Sequence, residues 1–213
     1  MLVEAWQFIL AHPDRFFAAL LRHVELSAGA LLIAIVLAVP AGIAFAAKPR
    51  AALTALTLAN VGRTLPSLAV LALVMPVLGT GFAPSLFALT LLALPPILIN
   101  TCTAIRQVDP DIVDAARGMG MSRAEIVRSV EVPIALPVIF AGIRTAAVQV
   151  VSGAVLAAYI GGGGLGDFIT AGIAMMALPQ LFVGAVPATL LSIGTDQLFG
   201  RLQKSMTPKG LRA

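Results

Sequence analysis

Between Thr64 and Ile105 the chain runs for 42 residues without an Asp, Glu, Lys or Arg. A water-exposed surface is not built from such a run. In hydrocarbon every backbone N–H and C=O must find a partner inside the protein, which leaves helices or closed barrels as spanning structures. A crossing helix needs about 20 residues, so this stretch is too long for one span. Turn residues at Gly79-Thr80-Gly81-Phe82-Ala83-Pro84 break it and predict spans near 53–78 and 85–105. Leu26–Ala47 is a further charge-free run of 22 residues, stopped by Lys48-Pro49-Arg50. Leu136–Ile160 carries one charge, Arg144, and ends at Gly161-Gly162-Gly163-Gly164. Phe168–Thr195 again carries none; Pro179 divides it into a piece too short to cross, 168–178, expected to be re-entrant or interfacial, and a last span near 180–200. The expectation is an all-α polytopic membrane protein with about five crossings. With 11% charged residues against roughly 25% in soluble domains, composition agrees.

Three regions follow. Residues 1–23 hold Trp6, Phe8, Phe16, Phe17 and Leu20 and read as an amphipathic segment at the interface, not a cleavable leader. Residues 24–205 form the transmembrane domain, and 206–213 a cytoplasmic tail. Five crossings put the termini on opposite sides. Placing Lys48, Arg50, the segment from Arg106 to Arg128 and the tail inside gathers ten of the fourteen basic residues there. The expected topology is therefore N-terminus out, C-terminus in. The excess of +4 thus needs no nucleic-acid partner.

Much chemistry is excluded. One cysteine, Cys102, allows no internal disulfide, and His12 and His23 stand alone, His23 expected at the interface. The tetraglycine lacks a following Gly-Lys-Ser/Thr, so it is not a phosphate loop; a flexible turn outside the membrane is expected instead. No nucleophile, base and acid set is present. Gly142 and Gly153 suggest close helix packing. Arg63 and Arg144 fall within spans, where a lipid-facing charge costs a few kcal/mol. They either snorkel, or pair with carbonyls and acidic groups in the bundle interior, or belong to a translocation path or gate. Asp196, inside the last span but near its cytoplasmic end, is expected to reach the interface. Gln149, Ser152 and Tyr159 recur along one span and could line a passage; hydrogen bonding to neighbouring helices explains them equally well.

The polar segment between the third and fourth runs is different in kind. Asp109-Pro110-Asp111 reads as helix cap, first residue and first-turn acid. Ile112, Ala115, Ala116 and Met119 follow at helical spacing, and Gly118 and Gly120 end the helix. Ser122-Arg123-Ala124-Glu125 is a capping box that starts a second helix, with Ile126, Val127 and Val130 on one face and Pro133 expected to close it. Residues 109–133 therefore predict a compact two-helix knuckle on the cytoplasmic side.

This segment resembles the "EAA" loop of ABC-importer permeases: Asp114-Ala115-Ala116, three residues, Gly120, nine residues, then Val130-Glu131-Val132-Pro133. Asp stands for Glu, and Val for Ile and Leu. Arg63-Thr64-Leu65-Pro66 is similar to the start of a core span in that MetI-like fold. His23-Val24-Glu25-Leu26-Ser27, Ala141-Gly142-Ile143-Arg144-Thr145-Ala146 and Ile160 to Asp167 are similar to the glycine betaine/carnitine/choline branch. The resemblance implies a non-catalytic permease subunit whose coupling helices dock in an ATPase cleft through Asp114, Ala115, Ala116 and Gly120, with Met121 and Ser122 nearby. It further implies a second permease subunit, identical or paralogous, two ATPase subunits that bind ATP and Mg, and an extracytoplasmic substrate-binding protein. The chain itself is expected to hold no cofactor. One Trp and one Tyr are too few for an aromatic cage around a quaternary ammonium, so selectivity is expected to lie in the binding protein. A same-fold permease for methionine or phosphonate is the first alternative. An ion-gradient transporter is a weaker one, for want of paired intramembrane acids or an inverted repeat.

Overall fold

The computed structural model describes residues 1–206; of the expected tail, 207–213, with Lys209 and Arg212, lie outside the described residues. Every regular element among the described residues is helical. Helix α1 covers Leu2–Ala11, α2 Pro13–Ala46, α3 Pro49–Thr64, α4 Ser67–Leu78 and α5 Phe82–Arg106. The knuckle holds α6, Pro110–Gly118, and α7, Arg123–Ile126; α8 is Val132–Gly153, α9 Gly166–Ala174 and α10 Leu178–Met206. Four helical stretches are long and apolar enough to cross a membrane, and a bent pair, α3 with α4, makes a fifth.

The core is made of small residues. On α2, Leu26, Ala30, Ala34, Ala38, Gly42 and Ala46 recur every fourth position and are all buried. This ridge faces α5, whose Ala88, Leu89, Ala93 and Ile97 are buried in turn, and α5 carries α8 through Ala135, Ile139, Ile143 and Ala146. Lipid tails are as apolar as these side chains, so it is close backbone approach, not exclusion from water, that holds such helices together. Gly142 marks the tightest point of the α5–α8 contact. A Cβ there would lie 2.6 Å from the Asn100 Cβ and 2.8 Å from the Pro96 carbonyl oxygen. Gly153 is looser, with Leu89 at 3.5 Å.

Several expectations need correction. The single span 53–78 is broken: α3 and α4 meet at 96°. Pro66 disfavours helical backbone at the residue before it, and Leu65 is extended, with φ −69° and ψ 127°. Residues 1–23 do not separate from the bundle either. Helix α2 starts at Pro13 and runs unbroken through residue 23; at 34 residues it is about 50 Å long, more than a ~30 Å hydrocarbon layer requires. Before it, α1 packs on α9 and α10 through Ala5, Phe168 and Val183. Third, His23 is fully buried, its Nε2 3.0 Å from the Val151 carbonyl oxygen.

Fourth, Pro133 closes nothing. Arg123–Ile160 is one helical run. Within it Val127–Glu131 opens into a π-turn in which the Val132 N–H donates to the Val127 carbonyl. The wider turn lets Pro133, which has no N–H to give, sit in the first turn of α8 without ending the helix. The knuckle is thereby joined rigidly to a membrane span.

The tetraglycine is an ordered corner. Gly161, Gly163 and Gly164 have φ of 73°, 81° and 98°, backbone that other residues adopt only with strain. Arg22 clasps it, its Nε donating to the Gly162 carbonyl at 3.3 Å while its guanidinium lies 4.0 Å over the Phe82 ring.

Candidate functional site

Two sites stand out, one at each level of the molecule. The first is the knuckle. The Asp109 carboxylate accepts from the Asp111 N–H at 2.9 Å and caps α6. At the other end Met119 closes the helix and Gly120 turns left-handed, φ 83°. The Gly120 N–H donates to Arg117 O at 2.9 Å and the Met121 N–H to Ala116 O at 3.2 Å, the pair of bonds that defines a Schellman stop. Ser122 and Glu125 then form the expected capping box, with the Ser122 N–H donating to Glu125 Oε2 at 2.7 Å.

Val108, Val113, Ala116 and Ile126 make a small separate core beneath α6, with Met121 and Val130 packed against it. Of the residues expected to dock, Asp114, Ala115, Gly120 and Ser122 are exposed. Asp114 is paired with Arg117 at 2.7 Å. Ala116 is not at the surface: it is 2% exposed and supports α6 from below. Met121 is half-buried. The outward apolar face belongs instead to Ile112, 44% exposed, and Met119, 75% exposed. Helical spacing put these two on one face but could not tell which face met the core. Where α7 returns, Arg123 forms an ion pair with the buried Glu131 across the π-turn.

Gly120 has nothing within 4 Å of an added Cβ, so only its backbone conformation requires glycine. Gly120→Ala should therefore destabilise the knuckle by about 1 kcal/mol. The measurement is amide hydrogen exchange, faster at Met121 and unchanged within the spans.

The second site is a groove of about 550 Å3 between α8 and α10, where Ala141 and Val148 lie beside Arg144, Thr145, Gln149, Ser152, Asp196 and Gln203. Arg144 donates from Nε and Nη2 to the two Asp196 oxygens at 2.7 and 2.8 Å, a two-point contact. Ser152 Oγ lies 3.1 Å from Ser192 Oγ. Asp196 neutralises Arg144. Of the four residues offered for a path, the structure brings Gln149 and Ser152 into this groove. Tyr159 is exposed beyond it, and Arg63 is exposed at the α3–α4 break, apart from both. That Arg144 pairs with an acidic group in the bundle was among the expected readings; its partner, Asp196, 52 residues on, was not identified. Its signal was present: each is an isolated charge in an apolar run, and the two are opposite in sign.

Comparison with known proteins decides the class. Residues 30–208 match the family described as the inner membrane component of binding-protein-dependent transport systems. The chain belongs to this permease family. The permease is 38% identical over 206 residues to the choline transport system permease protein OpuBB of Bacillus subtilis, covering 97% of this chain and 95% of that one. It is 39% identical over 212 residues to the carnitine transport permease protein OpuCB of Listeria monocytogenes, covering 100% and 90%. It is 40% identical over 215 residues to the osmoprotectant import permease protein OsmW of Salmonella typhimurium, covering 99% and 100%. Among solved structures, an inward-facing form of the MetNI methionine ABC transporter superposes with a TM-score of 0.79 at 19% identity, over 92% of this permease and 99% of that chain. That likeness concerns the fold alone.

Proposed function

We propose that this permease is the membrane-spanning subunit of an ATP-driven importer of osmoprotectants, quaternary ammonium solutes such as glycine betaine, carnitine and choline. The observation that carries the cargo class is end-to-end similarity to three permeases named for such solutes. Of the alternative cargoes, methionine is matched by a fold likeness at 19% identity.

In this reading the knuckle faces the cytoplasm, the amino terminus lies outside and the carboxyl end inside. The exposed Ile112–Met119 face, flanked by Asp114, Ala115, Gly120 and Ser122, docks into a cleft of a partner ATPase, which binds and hydrolyses ATP with Mg. A movement of that cleft is carried through the rigid π-turn into α8, so the knuckle acts as a lever on a span that borders the α8–α10 groove. Alternating access needs a contact that differs between states; docking at two separations of the ATPase pair supplies one. The exposed apolar sides of α3 and α4, including Leu58, Val61, Leu68 and Leu73, suit a second permease, identical or paralogous. An extracytoplasmic binding protein delivers the solute to the end bearing Gly79–Gly81 and Gly161–Gly164.

Uptake in proteoliposomes tests this. With permease, ATPase and binding protein present, radiolabelled betaine or choline should accumulate only with internal or external ATP on the ATPase side, and should ignore an imposed proton or sodium gradient. Accumulation driven by an ion gradient without ATP would refute the reading, and exclusive competition by methionine would move the cargo class.

A further inference from the structure

We propose that Arg144 and Asp196 form a contact point for the cargo in the permeation path, an ion pair that opens to a zwitterion and closes behind it. The proposal rests on the quaternary ammonium reading above and names the residues that read the cargo's charges.

The pair lies within two membrane spans: Arg144 is twelve residues beyond the start of α8, and Asp196 lies inside α10. Both side chains remain partly exposed, 37% and 45%. Facing lipid, that exposure would be costly even for a paired charge, and intramembrane ionisable groups turn to the bundle interior or to water. Their neighbours agree. Thr145, Gln149 and Ser152 continue the polar stripe along α8, and Thr189 and Ser192 continue it along α10. In this proposal that side of the bundle borders the passage, with the Arg144–Asp196 pair as its charged feature. A volume of about 550 Å3 falls within the range of small-molecule sites, roughly 300–1,000 Å3.

The chemistry of exchange follows from the charges. Betaine and carnitine carry a carboxylate and a quaternary ammonium on one small frame. The Arg144 fork holds a carboxylate by two parallel N–H donors, and a cargo carboxylate offers the same two acceptors that Asp196 offers. As the cargo takes the guanidinium, Asp196 is released beside the cargo's cation. The ammonium has no N–H, so this second contact is purely electrostatic. Two ion pairs replace one ion pair and a solvated zwitterion, and no charge is left alone at any step. Passage requires binding strong enough to enter and weak enough to leave, and an internal competitor of equal chemistry provides that balance. Choline, with a cation and a hydroxyl, can engage Asp196 but leaves Arg144 without an anion.

The complete transporter in proteoliposomes is the test. Wild-type uptake of betaine and choline is measured first; if neither enters, the cargo class fails and this inference fails with it. Given wild-type uptake, Arg144→Gln combined with Asp196→Asn replaces the pair by neutral groups of similar shape. The betaine-to-choline uptake ratio should then fall about tenfold, the loss of a two-point charged contact that only one solute can make. A purely structural pair predicts equal effects on both solutes, so an unchanged ratio overturns the inference and leaves the cargo class standing. Should the double variant fail to assemble, Gln149→Cys decides. Native Cys102 is buried, so a membrane-impermeant thiol reagent should modify the introduced thiol alone, and betaine should slow that modification more than choline. No modification, or no protection by betaine, overturns the proposal.

Discussion

Ile112→Glu combined with Met119→Lys should leave the permease inserted and folded yet unable to hold its ATPase. Both side chains point to solvent, so nothing in the knuckle's own core, Val108, Val113, Ala116 and Ile126, is disturbed. The charges are chosen to suit the helix. Glu falls in the first turn of α6 and Lys at its closing residue, where the macrodipole favours each sign. What is lost is an apolar anchor in an interface, and central anchors are worth about 2 kcal/mol or more apiece. Co-purification of the ATPase should fall by at least about thirtyfold, and transport with it. Arg128→Ala, an exposed change on the same knuckle, is the control. Retained ATPase binding and uptake in the double variant would remove α6 from the docking surface.

Gly142→Ala should be the most damaging single methyl group that can be added to the bundle core at the α5–α8 contact. The new carbon would meet backbone as well as side chain, Pro96 O at 2.8 Å and Asn100 Cβ at 2.6 Å, and backbone cannot rotate aside. Overpacking of this kind costs about 1–3 kcal/mol. Gly194→Ala is the matched comparison: it lies in α10 with nothing within 4 Å of the added carbon, so the higher helix propensity of alanine should make it neutral or stabilising by up to about 1 kcal/mol. Thermal unfolding in detergent, followed by size-exclusion chromatography of heated samples, should separate the two in opposite directions. Equal midpoints would mean that α5 and α8 are not packed this closely.

Much of this protein was legible because a membrane simplifies the problem. Long charge-free runs must be helices, and Gly79–Gly81 and Pro179 fall at helix boundaries as turn chemistry requires. Both helix caps of the knuckle were legible too, since Asp109 and the Ser122–Glu125 box act over three or four residues. Legibility ended where a residue's meaning depended on a partner far along the chain. Ala115 and Ala116 are adjacent and identical, yet one is exposed and the other forms core, because Ile126 folds back against only one of them. Pro133 carried a local stop signal that the π-turn before it cancels. His23 looked like an interfacial residue until Val151 and Gly164 closed over it.

Sequence by itself determined that the apolar runs are helices, where turns separate several of them, and the presence of a capped polar knuckle. These depend on hydrophobicity, capping and charge, which act within one turn or one span. Only the tertiary structure decided that α3 and α4 meet at 96°, that Ile112 and Met119 rather than Ala116 face outward, and that Arg144 finds Asp196 across 52 residues. Pairing across helices depends on how small residues let backbones approach and rotate. That geometry is a property of the packed bundle and is written in no single segment.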